Sequence, residues 1–217
     1  MENLQELFDA YLLTKPSAEK IRAATVMMIH VGKALNVATQ EEITGEYYDE
    51  ISVALDDFFS KTPQKAILDK AILAEMICRI GPNGKLKRLF KSLLADKDEN
   101  VRQFTLASLE YTGLKQPKIM LSYVELYRNS VDDSMKMIAV DLIAKLLCQG
   151  KHKTVLPKFK IWCSENNGVF AAAIIQRVKE LDQQNMCSAG FEHLKKWSEE
   201  NCSELWQSVF SNDAIKK

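Results

Sequence analysis

Apolar residues return every three or four positions along most of this chain, in stretches separated by short polar, glycine or proline turns. That period marks amphipathic helices, and no stretch keeps the strict alternation of a half-buried strand. Residues 2–13 carry Leu4, Leu7, Phe8, Tyr11 and Leu12 on one face and stop before Lys15-Pro16. Ser17 can cap a second helix, with Ile21, Ala24, Met28, Val31 and Leu35 in line. After the acidic segment QEEITGE, a third helix carries Tyr48, Ile51, Leu55, Phe58 and Phe59. Thr62-Pro63 opens a helix that stops at Gly81-Pro82. Leu86–Leu94 and Val101–Leu109 form a pair ended by Gly113. Pro117 opens the next helix, whose partner, with Met135, Ile138, Ala139, Leu142 and Leu146, ends at Gly150. A further pair covers Thr154–Ser164 and Gly168–Leu181, and one last helix runs from Ser188 to about Phe210. The prediction is an all-α chain of about eleven helices.

These helix pairs repeat at a spacing of about 34 residues. In that register Ile67, Val101, Met135 and Val169 align, as do Ala71, Thr105, Ala139 and Ala173. Ile72, Leu106, Val140 and Ile174 form a neighbouring column, and Phe59, Leu93, Tyr127 and Ile161 align in the first helices. Small residues thus recur where two helices approach closely, flanked by larger apolar ones. A unit of this kind cannot bury its apolar face alone and is stabilised by stacking on its neighbours.

The segment ADKDENVR, with Asp96 in the turn and Val101-Arg102 opening the second helix, resembles the corresponding part of HEAT repeats. The likeness covers roughly residues 46–182; only the copy at 86–113 has both the Asp and the Arg, and the period is short for that family. It implies a right-handed α-α superhelix, a HEAT-like solenoid with N- and C-terminal capping helices. Residues 1–44 would be the N-terminal cap, 45–186 the array, and 187–217 a C-terminal capping helix with Trp197 and Trp206 in its apolar stripe. The front of the chain, residues 7–80 at most, resembles the helical DNA-clamping domain of tyrosine recombinases. The matching features are the Phe8/Tyr11/Leu12 helix, Ser17 before a basic-apolar helix, and the EEIT turn into an acidic-aromatic one. That family's catalytic Arg, His and Tyr set has no counterpart here.

Composition adds limits. The 217 residues hold 29 Lys plus Arg and 29 Asp plus Glu, so a strongly basic nucleic-acid binder is not indicated for the chain as a whole. No apolar run approaches the roughly 20 residues of a membrane span, and Glu2, Glu6 and Asp9 leave no basic region for a secretory signal. The five cysteines, Cys78, Cys148, Cys163, Cys187 and Cys202, are odd in number and scattered through apolar segments, which fits packed thiols in a reducing, cytoplasmic setting.

The charges are not evenly spread. Turns within helix pairs are acidic (Asp56 and Asp57; Asp96, Asp98 and Glu99; Asp132 and Asp133; Glu165), whereas connections between pairs are basic. Acidic residues before a helix and basic ones after it complement the helix dipole, which accounts for the acidic turns, Arg79 and Lys115. Lys85, Lys87, Arg88, Lys91, Lys158 and Lys160 stand in early turns, where a cation gains nothing from the dipole. Together with Lys115, Lys118, Lys151 and Lys153 they define a candidate anion-binding edge, the alternative being ordinary solvated helix faces.

Chemistry of other kinds finds no foothold. There is no GxxxxGK[ST], GxGxxG, GxSxG or HExxH, and the three histidines, His30, His152 and His193, are far apart in sequence. Cys187, His193 and Cys202 match no common zinc spacing, so no metal, cofactor or catalytic residue is assigned. The expected function is a non-enzymatic helical-repeat module that binds a protein partner. The alternative is duplex-DNA binding through the basic edge, in repair or recombination. An enzyme site assembled across a concave face is a third reading with no constellation behind it.

Overall fold

The computed structural model describes residues 53, 55–57, 59–61, 66–84, 86–187 and 190–211. The expected helices within 1–52, and with them most of the features that resemble a recombinase clamp, lie outside the described residues. Among the described residues all regular structure is helical and there is no strand. The chain forms two compact units that divide after Thr112.

In the first unit, α1 (Ile67–Ile80), α2 (Leu86–Leu94) and α3 (Glu99–Ala107) pack on one another, α1 against both of the others. Leu55, Leu73, Ile77, Phe90, Leu93, Val101, Leu106 and Leu109 are fully buried between them. Each such side chain contributes roughly 1.5–3 kcal/mol through removal from water. The turn between α2 and α3 is a polar clasp. Asp96 takes an ammonium bond from Lys70 of α1 at 2.6 Å, with both side chains nearly buried. Arg102 reaches back to the carbonyls of Asp96 and Lys97 (2.9 and 3.1 Å), while Asp98 Oδ1 caps α3 by accepting from Asn100 N at 2.9 Å. The Asp and Arg that single out this copy therefore hold the turn in shape. Burial pushes the Asp96 carboxyl up, but the Lys70 and Asp98 bonds and the Lys70 and Arg102 charges outweigh it and hold it below its ordinary value.

Two details differ from the periodicity. The helix expected over Val101–Leu109 breaks at Ser108, whose hydroxyl donates to the Phe104 carbonyl at 2.8 Å, and resumes as α4 (Leu109–Lys115). A serine bonded back one turn competes with the helical ladder and bends it. Gly113 lies inside α4 rather than ending a helix: a Cβ there would collide with Met120 Sδ and approach Leu146 at 3.1 Å.

In the second unit the helices are α5 (Pro117–Tyr127), α6 (Asp133–Cys148), α7 (His152–Ser164), α8 (Val169–Gln183), α9 (Gly190–Asn201) and α10 (Ser203–Ser211). Pro117 stands in the first turn of α5, and Asp132 Oδ1 caps α6 through Met135 N at 3.2 Å. Helix α8 is the hub, packing on α6, α7, α9 and α10. Its Ile174, Ile175 and Val178 are fully buried, as are Ala139, Ile143, Ala144 and Leu147 of α6.

The single last helix expected from Ser188 to Phe210 is two. A straight helix would hold Phe191 and Phe210 about 28 Å apart at 1.5 Å per residue, yet their rings lie 6.3 Å apart, with Trp206 packed on both. The chain turns back at Cys202 so that this aromatic cluster can close. Cys148 and Cys187 are joined in a disulfide. This corrects the reading of all five cysteines as thiols; nothing local in the sequence pairs two residues 39 apart.

Candidate functional site

The turn that joins α6 to α7 starts the site. Gly150, at φ 78°, takes the left-handed conformation that ends α6, and its N–H and that of Lys151 return to the carbonyls of Leu147 and Leu146 at 3.0 and 2.9 Å. Helix α7 follows at once, with no side chain capping its first amides. Lys153, Leu156, Pro157 and Lys160 are spaced three, four and seven apart, so they share a face of α7. Across from them stands α9, with His193, Trp197 and Asn201 spaced by four. The two helices line an open cleft of about 770 Å³, with Lys151, His152 and Thr154 also on its lining.

The far wall is held by a chain of contacts. Gly190, at the start of α9, lies so close to the end of α6 that a Cβ would sit 2.5 Å from the Leu147 carbonyl oxygen and 2.7 Å from Cys148 Cα. The disulfide to Cys187 fastens the same approach three residues earlier. His152, nearly buried, places Nε2 at 3.3 Å from the Gly190 carbonyl oxygen. Its ring stacks on His193 at 4.0 Å. Burial holds the His152 pKa below its ordinary value; the carbonyls of Gly190 and Gly150 pull the other way, and the His193 neighbour adds to the lowering. Trp197 is braced edge-on by Phe159 at 5.7 Å.

The ten basic residues singled out in the sequence do not act alike. Lys151, Lys153 and Lys160 come together on the cleft. Lys158, only two residues before Lys160, points about 200° away and stands 3.7 Å from Glu125, which also receives Trp162 Nε1 at 3.3 Å. Arg88 faces Asp56 at 3.6 Å in a shallow depression of about 620 Å³ that also includes Asp57, so its charge is offset there. Lys87 and Lys91 are exposed on α2, as are Lys115 and Lys118 at the junction of α4 and α5. Lys85 lies outside the described residues.

Sequence reasoning grouped these lysines by turn, whereas the helix face is what sorts them. It set His152 and His193 aside as far apart in sequence, placed Trp197 in a capping stripe and gave Thr154 and Asn201 no role, although the four-residue spacing of His193, Trp197 and Asn201 was there to be read. Among the described residues no three His, Cys, Asp or Glu side chains are grouped to hold a metal ion, and no helix is long and apolar enough to cross a membrane. Three ammonium groups, two imidazoles and an indole in an open cleft can pair with an extended anionic segment, the charge on the lysines and a flat or apolar group on Trp197. No protein-family model, curated protein or solved structure matches the chain.

Proposed function

We propose that this chain is a non-enzymatic helical-repeat binding module that captures an acidic segment of a protein partner in the cleft between α7 and α9. The observation that carries this reading is the cleft itself: Lys151, Lys153 and Lys160 converge on it, and none has a carboxylate partner among the described residues. At about 770 Å³ it falls within the size range of ligand-binding clefts. The scaffold on this reading is a HEAT-like right-handed superhelix. Its support is twofold. Second helices pack on second helices, α1 on α3 in one unit and α6 on α8 in the other. Polar ties between consecutive helix pairs also recur near the 34-residue period: Thr112 to Cys78 O at a separation of 34, Arg177 to Asp141 at 36, and Trp162 to Glu125 at 37.

The second reading, duplex-DNA binding on a basic edge, draws on Lys87, Lys91, Lys115 and Lys118, exposed and without a carboxylate partner among the described residues. One experiment separates the two. Labelled Asp/Glu-rich peptide and labelled duplex DNA are titrated by fluorescence anisotropy against the wild type, the Lys153→Glu/Lys160→Glu variant and the Lys87→Glu/Lys91→Glu variant. Reversing a charge about 5 Å from a solvated anion changes the energy by about 1.5 kcal/mol, roughly tenfold in affinity. Peptide binding lost in the first variant and kept in the second supports the cleft. DNA binding lost in the second variant, with no peptide binding in the wild type, would overturn it.

A further inference from the structure

Cys148 is the last residue of α6, and Cys187 stands on the connection between α8 and α9, three residues before Gly190. Their disulfide ties the end of α6 to the chain that starts the far wall of the cleft. The backbones close in at the same place, where a Cβ on Gly190 would sit 2.7 Å from Cys148 Cα. From this anchor α9 carries His193, Trp197 and Asn201 along the cleft, one turn apart, facing Lys153 and Lys160 of α7. His152 meets both the anchor and the wall, with Nε2 3.3 Å from the Gly190 carbonyl oxygen and its ring 4.0 Å from that of His193. Where α9 begins therefore decides whether its three cleft residues face the lysines. The bond is buried, yet residues 183–186 just before it are exposed, and Asn185 turns the chain there at φ 58°. The other three cysteines are thiols, Cys163 and Cys202 half-buried among them, so the chain is not built as a disulfide framework. Its one bond stands at the cleft wall.

We propose that the Cys148–Cys187 bond is a redox latch on the cleft: oxidised, it holds the start of α9 on α6; reduced by a dithiol, it lets α9 swing away and the cleft open. The ligand whose binding this regulates, an acidic peptide segment, is taken from the reading above, on which that part of the inference rests. A thiolate of the reductant attacks one sulfur of the bond, the S–S bond breaks, and the other cysteine leaves as a thiolate that takes up a proton. The reductant's second thiol then attacks the mixed disulfide, gives up its proton to the remaining cysteine as that is freed, and the reductant departs as a disulfide. Two electrons pass from the dithiol to the protein. What then holds α9 in place is non-covalent, the Gly190 packing and the His152 contact, and such contacts open and reclose. Apparent affinity falls with the fraction of time α9 is docked, so docking about one-tenth of the time weakens binding about tenfold.

The test compares the full chain in its two redox states. Dithiothreitol should raise the thiol count in denaturant from the three free thiols to all five cysteines, the other three being thiols already. Native-state hydrogen exchange should then accelerate at 184–187 and 190–201, and far less across the buried parts of α6 and α8. Labelled Asp/Glu-rich peptide should bind the reduced chain about tenfold more weakly, and reoxidation to three thiols should restore the affinity. Cys148→Ser/Cys187→Ser should match the reduced chain and ignore reductant. Exchange at α9 that is the same in both states, measurable but equal peptide affinity, or acceleration spread evenly over the second unit, the mark of a plain structural staple, would each overturn the latch. Peptide bound by neither state, with α9 loosened all the same, would overturn the acidic-segment reading and leave the latch standing. The wild-type comparison holds even where the serine variant folds poorly.

Discussion

Replacing Gly190 by alanine probes the contact on which one wall of the cleft depends. The new methyl would lie 2.5 Å from the Leu147 carbonyl oxygen and 2.7 Å from Cys148 Cα. Both are backbone atoms at the end of α6, so neither can swing aside as a side chain would. Ordinary contact needs about 3.4 Å or more, so α9 must retreat by most of an ångström. Overpacking of well-filled sites costs about 1–3 kcal/mol, and the absence of a yielding side chain puts Gly190→Ala at the upper end, about 3 kcal/mol. Gly150→Ala is the matched control. A Cβ there meets nothing within 4 Å, but φ 78° imposes the left-handed penalty of about 1–2 kcal/mol. The assay is urea unfolding followed by tryptophan fluorescence. All three tryptophans, Trp162, Trp197 and Trp206, belong to the second unit, so the signal reports that unit alone. Gly190→Ala should lower its unfolding free energy about twice as much as Gly150→Ala and weaken acidic-peptide binding, because retreat of α9 lengthens the His152–Gly190 bond and opens the cleft. A loss below about 0.5 kcal/mol in Gly190→Ala would refute the packing argument.

Four further outcomes follow from contacts in the fold. Reducing Cys148–Cys187, which closes a loop of 39 residues, should cost the second unit roughly 4 kcal/mol by loop entropy, read as a lower urea midpoint with reductant and no such effect in Cys148→Ser. Lys70→Met should destabilise the first unit by about 3 kcal/mol by leaving Asp96 without its buried cation, seen as faster hydrogen exchange across α2 and α3. Because the folded Asp96 pKa is depressed, its stabilisation is present above the ordinary carboxylate value of 3.8 and is lost as pH falls below it, a loss that Asp96→Asn should not show. His152 has a folded pKa below 6.5, so the unfolded chain takes the proton first. The second unit's urea midpoint should be flat at higher pH and fall as pH drops below about 6.5, and His152→Asn should blunt that fall.

Much of the helical layout was written in local pattern. Asp98 and Asp132 cap helices, Pro117 starts one, and Gly81 and Gly150 end two, each through backbone chemistry that acts within a few residues. What escaped depends on distant partners. The apolar stripe runs unbroken through Cys202, and only the meeting of Phe191 with Trp206 and Phe210 shows that the chain must turn there. Gly113 reads as a terminator until Met120 is seen against it. The cleft needs His152 beside Gly190, 38 residues on, and the disulfide needs Cys148 beside Cys187. The aligned columns behave alike in the middle and diverge at the last copy. Val101 and Met135 are buried, but Val169 is 65% exposed, because α8 turns Phe170 and Ala171 inward instead.

The most direct test of the account is an amide NMR titration of the full chain with an Asp/Glu-rich peptide. The account predicts shifts concentrated at 150–160 and 190–201, with the Trp197 indole N–H among the largest, and their loss in Lys153→Glu/Lys160→Glu. Shifts centred on 86–91, or none up to millimolar peptide, would contradict it.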